Sequence, residues 1–161
     1  MGVVIYAFPC SGKTYLTKKY KNIIELASEK FHWEDCDNNT ESMKGEYKVV
    51  NKEWPNNYYQ EILNQYKNTN NIILITHSGS VGCQKLNIPY YIVYPYEKNK
   101  TEYIHRMKNR GNSQDVISNM ELNFEKYIKS CESDSYALKH IRIGENEYLE
   151  EALLKLGLIE E

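Results

Sequence analysis

The feature that most constrains the fold is a Gly-Lys-Thr sequence that closely follows a short apolar run. Residues 3–6 read VVIY, and residues 7–14 read AFPCSGKT. A strand, a glycine-containing loop and a helix in this order are typical of a phosphate-binding loop. In such a loop the backbone N–H groups point into one concavity, and the N-terminus of the helix adds partial positive charge. The sequence therefore predicts an anion site between the first strand and the first helix.

The side chains of this loop suit a nucleotide with its metal ion. Gly12 lets the backbone approach a phosphate, Lys13 would reach the β- and γ-phosphates, and the Thr14 hydroxyl would bind Mg²⁺. The usual pattern G-x-x-x-x-G-K-[ST] has glycine where this chain has Ala7, which can serve if that position needs no positive φ. The residues predicted to bind ATP are Pro9, Cys10, Ser11, Gly12, Lys13, Thr14 and Tyr15. A chance turn between a strand and a helix is the alternative to this site.

The size and charge of the chain limit the classes of protein that it can be. It has 161 residues, a formal net charge of −2, 41% hydrophobic residues and 26% charged ones, which indicates one globular domain over residues 1–161. A domain that grips duplex DNA by neutralising its phosphates is usually strongly basic, so any contact with nucleic acid is expected to be local. No apolar stretch has the length of a membrane span, and the four cysteines form no C-x-x-C pair. We therefore expect no membrane partner and a cytoplasmic protein, in the host cytoplasm if it is viral.

Apolar runs alternate with amphipathic segments along the chain. The runs that we expect to be strands are residues 3–6, 23–26, 72–75, 90–94 and 140–143. Helical spacing of apolar residues marks the segments 13–21, 55–66, 99–110, 114–131 and 149–156. This alternation predicts an α/β fold, with a parallel sheet of about five strands flanked by helices. Residues 32–54 are polar and weakly periodic, so we expect a loop-rich excursion there.

Two arginines in the second half of the chain are candidates to stabilise a transferred phosphoryl group. Arg106 and Arg110 are four residues apart on a helix that Asn99 and Glu102 are expected to open as a capping box. Guanidinium groups on a mobile element can neutralise the charge that spreads over a phosphoryl group. We therefore predict a short helical lid over about residues 98–114. The alternative is a solvated basic face on which Glu102 and Arg106 form an ordinary ion pair.

Glu25 is the candidate base on the acceptor side, because it lies at the end of the second predicted strand. Its carboxylate could accept or orient the proton of an acceptor hydroxyl, with Ser28 three residues further along. A strand-end residue that faces solvent is an equally weighted alternative. Asp35 and Asp37 are weaker candidates, for which a solvated acidic loop is the favoured interpretation. The predicted catalytic residues are thus Lys13, Glu25, Arg106 and Arg110.

Other acceptor-side candidates are aromatic or follow the third predicted strand. Trp54 and Tyr58 could stack on a base, although core packing is the favoured interpretation. The third strand is followed by Thr76, His77 and Ser78, with no carboxylate, which argues against a motor or a GTPase-type hydrolase. Thr76 or Ser78 could hold a metal-bound water, and a structural role is favoured for His77. The acceptor-side residues of this prediction are Ser28, Trp54, Tyr58 and His77.

Several blocks of the chain together resemble a known family. They are AFPCSGKTYL, IIELASEKF, EWPNNYYQEIL, IILITHSG, YYIVYPYEKNKTEYIHRMKNRGN and NFEKYI. In this order they resemble small phage-type P-loop kinases of the nucleoside-monophosphate-kinase-like superfamily. The resemblance implies a P-loop NTPase fold, ATP and Mg²⁺ at residues 10–14, and lid arginines at Arg106 and Arg110. In such proteins the second-strand block usually carries aspartate, and here Glu25 occupies the matching place.

Three functions are compatible with these observations. The first is a kinase that moves the γ-phosphoryl group of ATP to a small nucleotide or nucleoside acceptor. The second is a kinase that acts on a DNA or RNA end or on a modified base in DNA, with lysines at 44, 48, 52 and 98–108 forming a groove for the strand. The third is a non-catalytic ATP-binding module that switches a partner.

Overall fold

The computed structural model describes residues 1–34 and 49–161. The strands in these residues are β1 (Val3–Ala7), β2 (Ile23–Glu25), β3 (Ile72–Ile75), β4 (Tyr90–Pro95) and β5 (His140–Ile143). The α-helices are α1 (Lys13–Lys19), α2 (Glu29–His32), α3 (Asn56–Asn68), α4 (His77–Leu86), α5 (Lys100–Asn109), α6 (Gln114–Glu132) and α7 (Leu149–Lys155). A 3₁₀ turn, Glu97–Asn99, precedes α5. None of the helices within these two ranges combines the length and the apolar character needed to cross a bilayer.

The five strands form one sheet in the order β2-β3-β1-β4-β5, and every neighbouring pair is parallel. In the central strand β1, Val4 is in register with Ile73 of β3 and with Tyr90 of β4. Since all strands run in one direction, their carboxyl ends meet at the same edge, which we call the carboxyl edge. Ligands of open α/β sheets bind at this edge. The predicted parallel sheet of about five strands flanked by helices is therefore confirmed.

The strands are continuous apolar runs because helices cover both faces of the sheet. Along β1, Val4 and Tyr6 face a layer that contains α3, α4, α5 and α6. Ile5 and Ala7 face the opposite layer, which contains α1 and α7. Burial of each large apolar side chain contributes about 1.5–3 kcal/mol. The two layers therefore hold β1, and with it the loop that follows it, in a fixed position.

Helix α4 was not predicted from the sequence, because two glycines interrupt its apolar pattern. A Cβ atom on Gly79 would lie 2.9 Å from Cβ of Ile75, and one on Gly82 would overlap the ring of Tyr59. Both glycines are buried. They allow α4 to pack closely on β3 and α3, a tertiary requirement that has no counterpart in local helix propensity.

The ends of the helices follow the sequence in part. Gly157, with a φ of 71°, lies just after α7, where glycine commonly ends a helix. The predicted capping box at the start of α5 is wrong: the Asn99 side chain makes no capping hydrogen bond to α5 and accepts one from the backbone N–H of Tyr96 at 3.3 Å. The side chain of Glu102 is used elsewhere, in contacts with Arg106 and with the backbone N–H of Asn146.

Part of the predicted excursion at residues 32–54 lies within the described residues. Helix α2 ends at His32, the first residue of this segment. Trp33 then pairs with Val50 in an isolated antiparallel bridge. Four of the candidate residues named from the sequence lie outside the described residues: Asp35, Asp37, Lys44 and Lys48.

The contact between α4 and α3 gives a prediction about stability. In the interior of a helix, alanine is normally about 0.5–1 kcal/mol more stabilising than glycine. At Gly82 the added methyl group would overlap the buried Tyr59 ring, so we expect Gly82→Ala to lower the free energy of unfolding by about 1–3 kcal/mol. Urea denaturation measures the change. The neighbouring exposed substitution Val81→Ala should stay within about 0.5 kcal/mol of the wild type; a Gly82→Ala protein of unchanged stability would contradict the close packing.

Candidate functional site

The phosphate loop, residues 7–14, turns sharply between β1 and α1 at the carboxyl edge. Cys10 and Gly12 have φ angles of 62° and 101°. A Cβ atom on Gly12 would lie 3.2 Å from the ring of Tyr148, so conformation and space both favour glycine there. The N–H of Leu149 donates to O of Ser11 at 2.7 Å. The turn between β5 and α7 therefore supports the loop from behind.

Ala7 occupies the place at which the usual pattern has glycine. It is the last residue of β1, in register with Val93, and its φ is not positive. The N–H of Phe8 also donates to O of Val93, at 3.0 Å, so strand pairing extends into the loop. The conformational freedom of glycine is not required here, and alanine is compatible with the loop.

Lys13 lies against the backbone of the loop. Its Nζ donates to O of Ala7 at 2.9 Å and to O of Phe8 at 3.5 Å. Burial lowers the pKa of Lys13 to about 8, although the carboxylate of Glu25 acts in the opposite direction. At neutral pH the side chain is therefore mainly a poorly solvated cation, which favours an anionic ligand.

A cavity of about 750 Å³, here called the loop cavity, opens beside the phosphate loop. Its volume lies within the range of about 300–1,000 Å³ that is usual for small-molecule and cofactor sites. Of the residues predicted to bind ATP, the following line it: Pro9, Cys10, Gly12, Lys13, Thr14 and Tyr15. The Ser11 side chain is fully buried instead, and within residues 1–34 and 49–161 its Oγ has no hydrogen-bond partner.

Arg106 joins three parts of the site. The side chain is only 8% exposed. Nη1 donates to O of Cys10 at 3.0 Å, and Nη2 donates to O of Glu147 at 2.7 Å and to the carboxylate of Glu102. The ring of Tyr148 stacks on the guanidinium at 3.9 Å. Arg106 thus fixes the phosphate loop and the β5–α7 turn to α5, which differs from the late-arriving phosphoryl clamp that we predicted from the sequence.

Arg110 is placed differently, although it is only four residues away. It directly follows α5, is exposed, and lines the loop cavity. Its Nη1 donates to Sγ of Cys10 at 3.2 Å. The chain then turns at Gly111, which has a φ of 79°, into α6. Of the two predicted arginines, Arg110 is the one whose guanidinium is not held by carbonyl or carboxylate oxygens within the described part of the chain.

Glu25 lies next to the predicted metal ligand. It ends β2 at the carboxyl edge, and the hydroxyl of Thr14 donates to its Oε1 at 3.3 Å. Both side chains line the loop cavity. Mg²⁺ prefers oxygen ligands and is usually bound by one or two carboxylates together with substrate phosphates. Although no cluster of three or more His, Cys, Asp or Glu suited to a metal occurs in the described ranges, the Thr14 oxygen fits an ion whose other ligands would arrive with a nucleotide.

The acceptor-side predictions divide into residues inside and outside the loop cavity. Ser28 lines it, as do Glu29 and Thr76. Tyr58 is fully buried, and its hydroxyl donates to O of Leu26 at 2.6 Å. Trp54 stacks on His32 with a centroid distance of 4.3 Å. Neither Trp54 nor Tyr58 lines the loop cavity, which agrees with the core-packing interpretation for both.

His77 faces another part of the molecule. It lines a polar cavity of about 460 Å³ between α4 and α6, together with Tyr6 and Asp134. Its Nδ1 lies 3.4 Å from the hydroxyl of Tyr6. Burial raises the pKa of Tyr6, so this hydroxyl stays protonated at neutral pH. His77 does not line the loop cavity.

The residues of the loop cavity that were missed from the sequence include Tyr148 and Glu29. Tyr148 follows the last strand, is 44% exposed, and contributes its ring to the wall next to Gly12. Glu29 follows Ser28 in the first turn of α2. A signal was available for Tyr148, because every segment that follows a strand of a parallel sheet begins at the same edge.

Comparison with known proteins leaves the family of this chain open. No protein-family model matches it, and a search of curated proteins finds no significant match. The assignment of function below therefore depends on the residues of the loop cavity alone.

The two arginines give a matched pair for a stability test. Removing Arg106 would take the guanidinium from Glu102, which keeps its contact with the N–H of Asn146, and from two backbone carbonyls. We therefore expect Arg106→Ala to lower the free energy of unfolding by about 2–4 kcal/mol. Arg110→Ala should change it by less than about 0.5 kcal/mol, because the side chain is exposed. Thermal and urea denaturation measure both values. Equal effects of the two substitutions would refute the linking role of Arg106.

Proposed function

We propose that the protein is an ATP-dependent phosphotransferase, a P-loop kinase that transfers the γ-phosphoryl group to a nucleotide-like small molecule. The observation that carries this proposal is the meeting of Lys13, Thr14, Glu25 and Arg110 in one cavity at the carboxyl edge. Each of the four would meet a different requirement of the reaction. Lys13 would bind phosphate, Thr14 the metal ion, Glu25 would activate the acceptor, and Arg110 would neutralise charge. Arg110 comes from a segment far along the chain from the other three residues and still lines the same cavity.

The donor half of the cavity is formed by the phosphate loop. Backbone N–H groups of the loop and the start of α1 would hold phosphate oxygens, and Lys13 would exchange its contacts with O of Ala7 and Phe8 for contacts with the phosphates. Thr14 would bind Mg²⁺ through its oxygen while its hydrogen stays with Glu25. The metal ion, when bound, neutralises charge on the β- and γ-phosphates.

The transfer half involves Arg110 and Glu25. Arg110 can neutralise charge on the phosphoryl group, because within the described residues its guanidinium donates to the sulfur of Cys10 and to no oxygen. Glu25 can orient the acceptor and take its proton. Arg106 would act indirectly, because it binds O of Cys10 and thereby fixes the conformation of the loop.

The position of Glu25 also bears on the non-catalytic alternative. The absence of a carboxylate directly after β3 slightly favours that alternative. Strand β2 is the neighbour of β3, and its terminal carboxylate lies within hydrogen-bonding distance of Thr14. Glu25, on the adjacent strand, could therefore supply the carboxylate that is absent after β3. This supports a catalytic role over a scaffold role.

The polynucleotide alternative receives less support. Within the described residues, Lys100 pairs with Glu125 at 3.2 Å. Lys98 lines a separate cavity together with Glu102 and Glu145. Acidic groups are thus interspersed with the lysines of α5, where a strand-binding groove would be uniformly basic.

Substitution of the phosphate-loop lysine tests the proposal. We expect Lys13→Ala to abolish ATP binding and phosphoryl transfer with the fold intact, because the principal cation of the donor half is removed. Isothermal titration with ATP and Mg²⁺ measures binding, labelled ATP measures transfer, and circular dichroism checks the fold. Arg110→Ala provides the contrast: it should retain ATP binding within about threefold and lose turnover by about 10²-fold or more. A folded and fully active Lys13→Ala protein would exclude the proposed function.

The pKa of Lys13 predicts how ATP binding depends on pH. In the free protein this pKa is about 8, so the ammonium group is present below pH 8 and is lost as the pH rises through that value. Since ATP requires the charged form, the affinity should fall by up to about tenfold per pH unit above pH 8. Titrations between pH 7 and 10 measure this slope. In Lys13→Arg the cation persists over the whole range, so the slope should disappear; an unchanged slope would assign it to another group.

A further inference from the structure

The loop cavity is divided by charge. Its cationic lining residues in the described part of the chain are Lys13, Arg106 and Arg110. Each of them donates a hydrogen bond to an atom of residues 7–10, in the phosphate loop. In the described part of the chain the carboxylates that line the cavity, Glu25 and Glu29, come from the end of β2 and the start of α2. They lie beside the loop, since Glu25 accepts a hydrogen bond from Thr14. The cations are thus bound to the phosphate loop, and the carboxylates belong to the β2–α2 segment, here called the negative half of the cavity.

The negative half is held in place by packing behind it. Phe31 of α2 packs on Tyr58 at a centroid distance of 5.1 Å, and O of Phe31 accepts a hydrogen bond from Nδ2 of Asn57 at 2.8 Å. His32 lies between two tryptophan rings, with centroid distances of 4.1 Å to Trp33 and 4.3 Å to Trp54. These contacts fix α2 on α3. The packing of α2 on α3 therefore fixes the position of Glu29 in the cavity wall.

This division of charge discriminates between two kinds of acceptor group. A phosphate monoester carries up to two negative charges and would meet Glu25 and Glu29 as like charges, and Glu25 is partly buried, which raises the cost of that repulsion. A phosphate oxygen is also already anionic, so it needs no base. A hydroxyl group is uncharged and must lose a proton as it attacks, and a carboxylate within reach assists that loss.

We propose, on the basis of the phosphotransferase function above, that the acceptor group is an uncharged hydroxyl and not a phosphate. The acceptor oxygen forms a bond to the γ-phosphorus while the bond between that phosphorus and the β,γ-bridging oxygen breaks. The acceptor proton passes to the Glu25 carboxylate and then to solvent. The products are ADP and a phosphomonoester, formed without a phosphoanhydride on the acceptor.

Matched acceptors test this inference. The intact protein is incubated with ATP and Mg²⁺ and offered each nucleoside beside its 5′-monophosphate, and oligonucleotides with a 5′-hydroxyl, a 5′-phosphate or a hydroxymethylated base. Phosphorus NMR separates a new phosphomonoester from a new phosphoanhydride. We expect phosphomonoester products with at least one hydroxyl acceptor, and rates at least tenfold lower with acceptors that offer only a phosphate. Phosphoanhydride formation on the monophosphates would overturn the inference and leave phosphotransfer standing, whereas a wild-type protein without ATP binding would overturn the proposed function itself.

Two carboxylate substitutions sharpen the result. Glu25→Gln should lower transfer to a hydroxyl by about 10²–10⁴-fold and keep ATP affinity within about threefold, because it removes the proton acceptor. Glu29→Gln should raise the ratio of phosphate to hydroxyl transfer by about tenfold, because one like charge is lost. Glu121→Gln, an exposed carboxylate outside the loop cavity, is the control and should change neither quantity. An unchanged transfer rate in Glu25→Gln would also overturn the hydroxyl assignment.

Discussion

The site depends on one buried guanidinium group. Arg106 binds O of Cys10 in the phosphate loop, O of Glu147 in the β5–α7 turn and the carboxylate of Glu102 on its own helix. A buried cation is stable only when acceptors surround it, so its burial requires these three segments to be present together. The positive φ of Cys10 lies at the same point. The conformation of the loop is therefore imposed by contacts from the second half of the chain as well as by its own sequence.

The parallel sheet makes this convergence possible. Because β1 lies between β3 and β4, the segments after β1, β2 and β3 start from neighbouring points of one edge. Residues that are far apart in the chain, such as Thr14, Glu25 and Thr76, reach the same cavity without any long excursion. The hydrogen bond between Thr14 and Glu25 is a direct consequence, since it joins the residue that would bind the metal ion to the terminal residue of another strand.

The sequence predicts what depends on local pattern and fails where packing decides. Residues 7–14 and the five strands follow from apolar runs and from glycine at a turn, which are properties of short segments. Helix α4 could not be predicted, because Gly82 reflects contact with Tyr59 rather than helix propensity. The different environments of Arg106 and Arg110 could not be predicted either. Their spacing on the helix is the same whether both side chains are solvated or one of them is buried. The burial of Tyr58 agrees with the structural interpretation that residue type alone favoured.

Separation of charge gives the cavity a direction. If cations and carboxylates were mixed, ATP and the acceptor would compete for the same positions, and water could approach the γ-phosphoryl group from either side. With Lys13 and Arg110 at the phosphate loop and the carboxylates at the β2–α2 connection, the proposed triphosphate would be attracted to the loop, and the proposed uncharged acceptor would occupy the space beside the carboxylates. The link from Thr14 to Glu25 spans the boundary. A metal ion on the Thr14 oxygen would strengthen the hydrogen bond that its hydroxyl donates, so nucleotide binding would also orient Glu25, the carboxylate proposed to receive the acceptor proton.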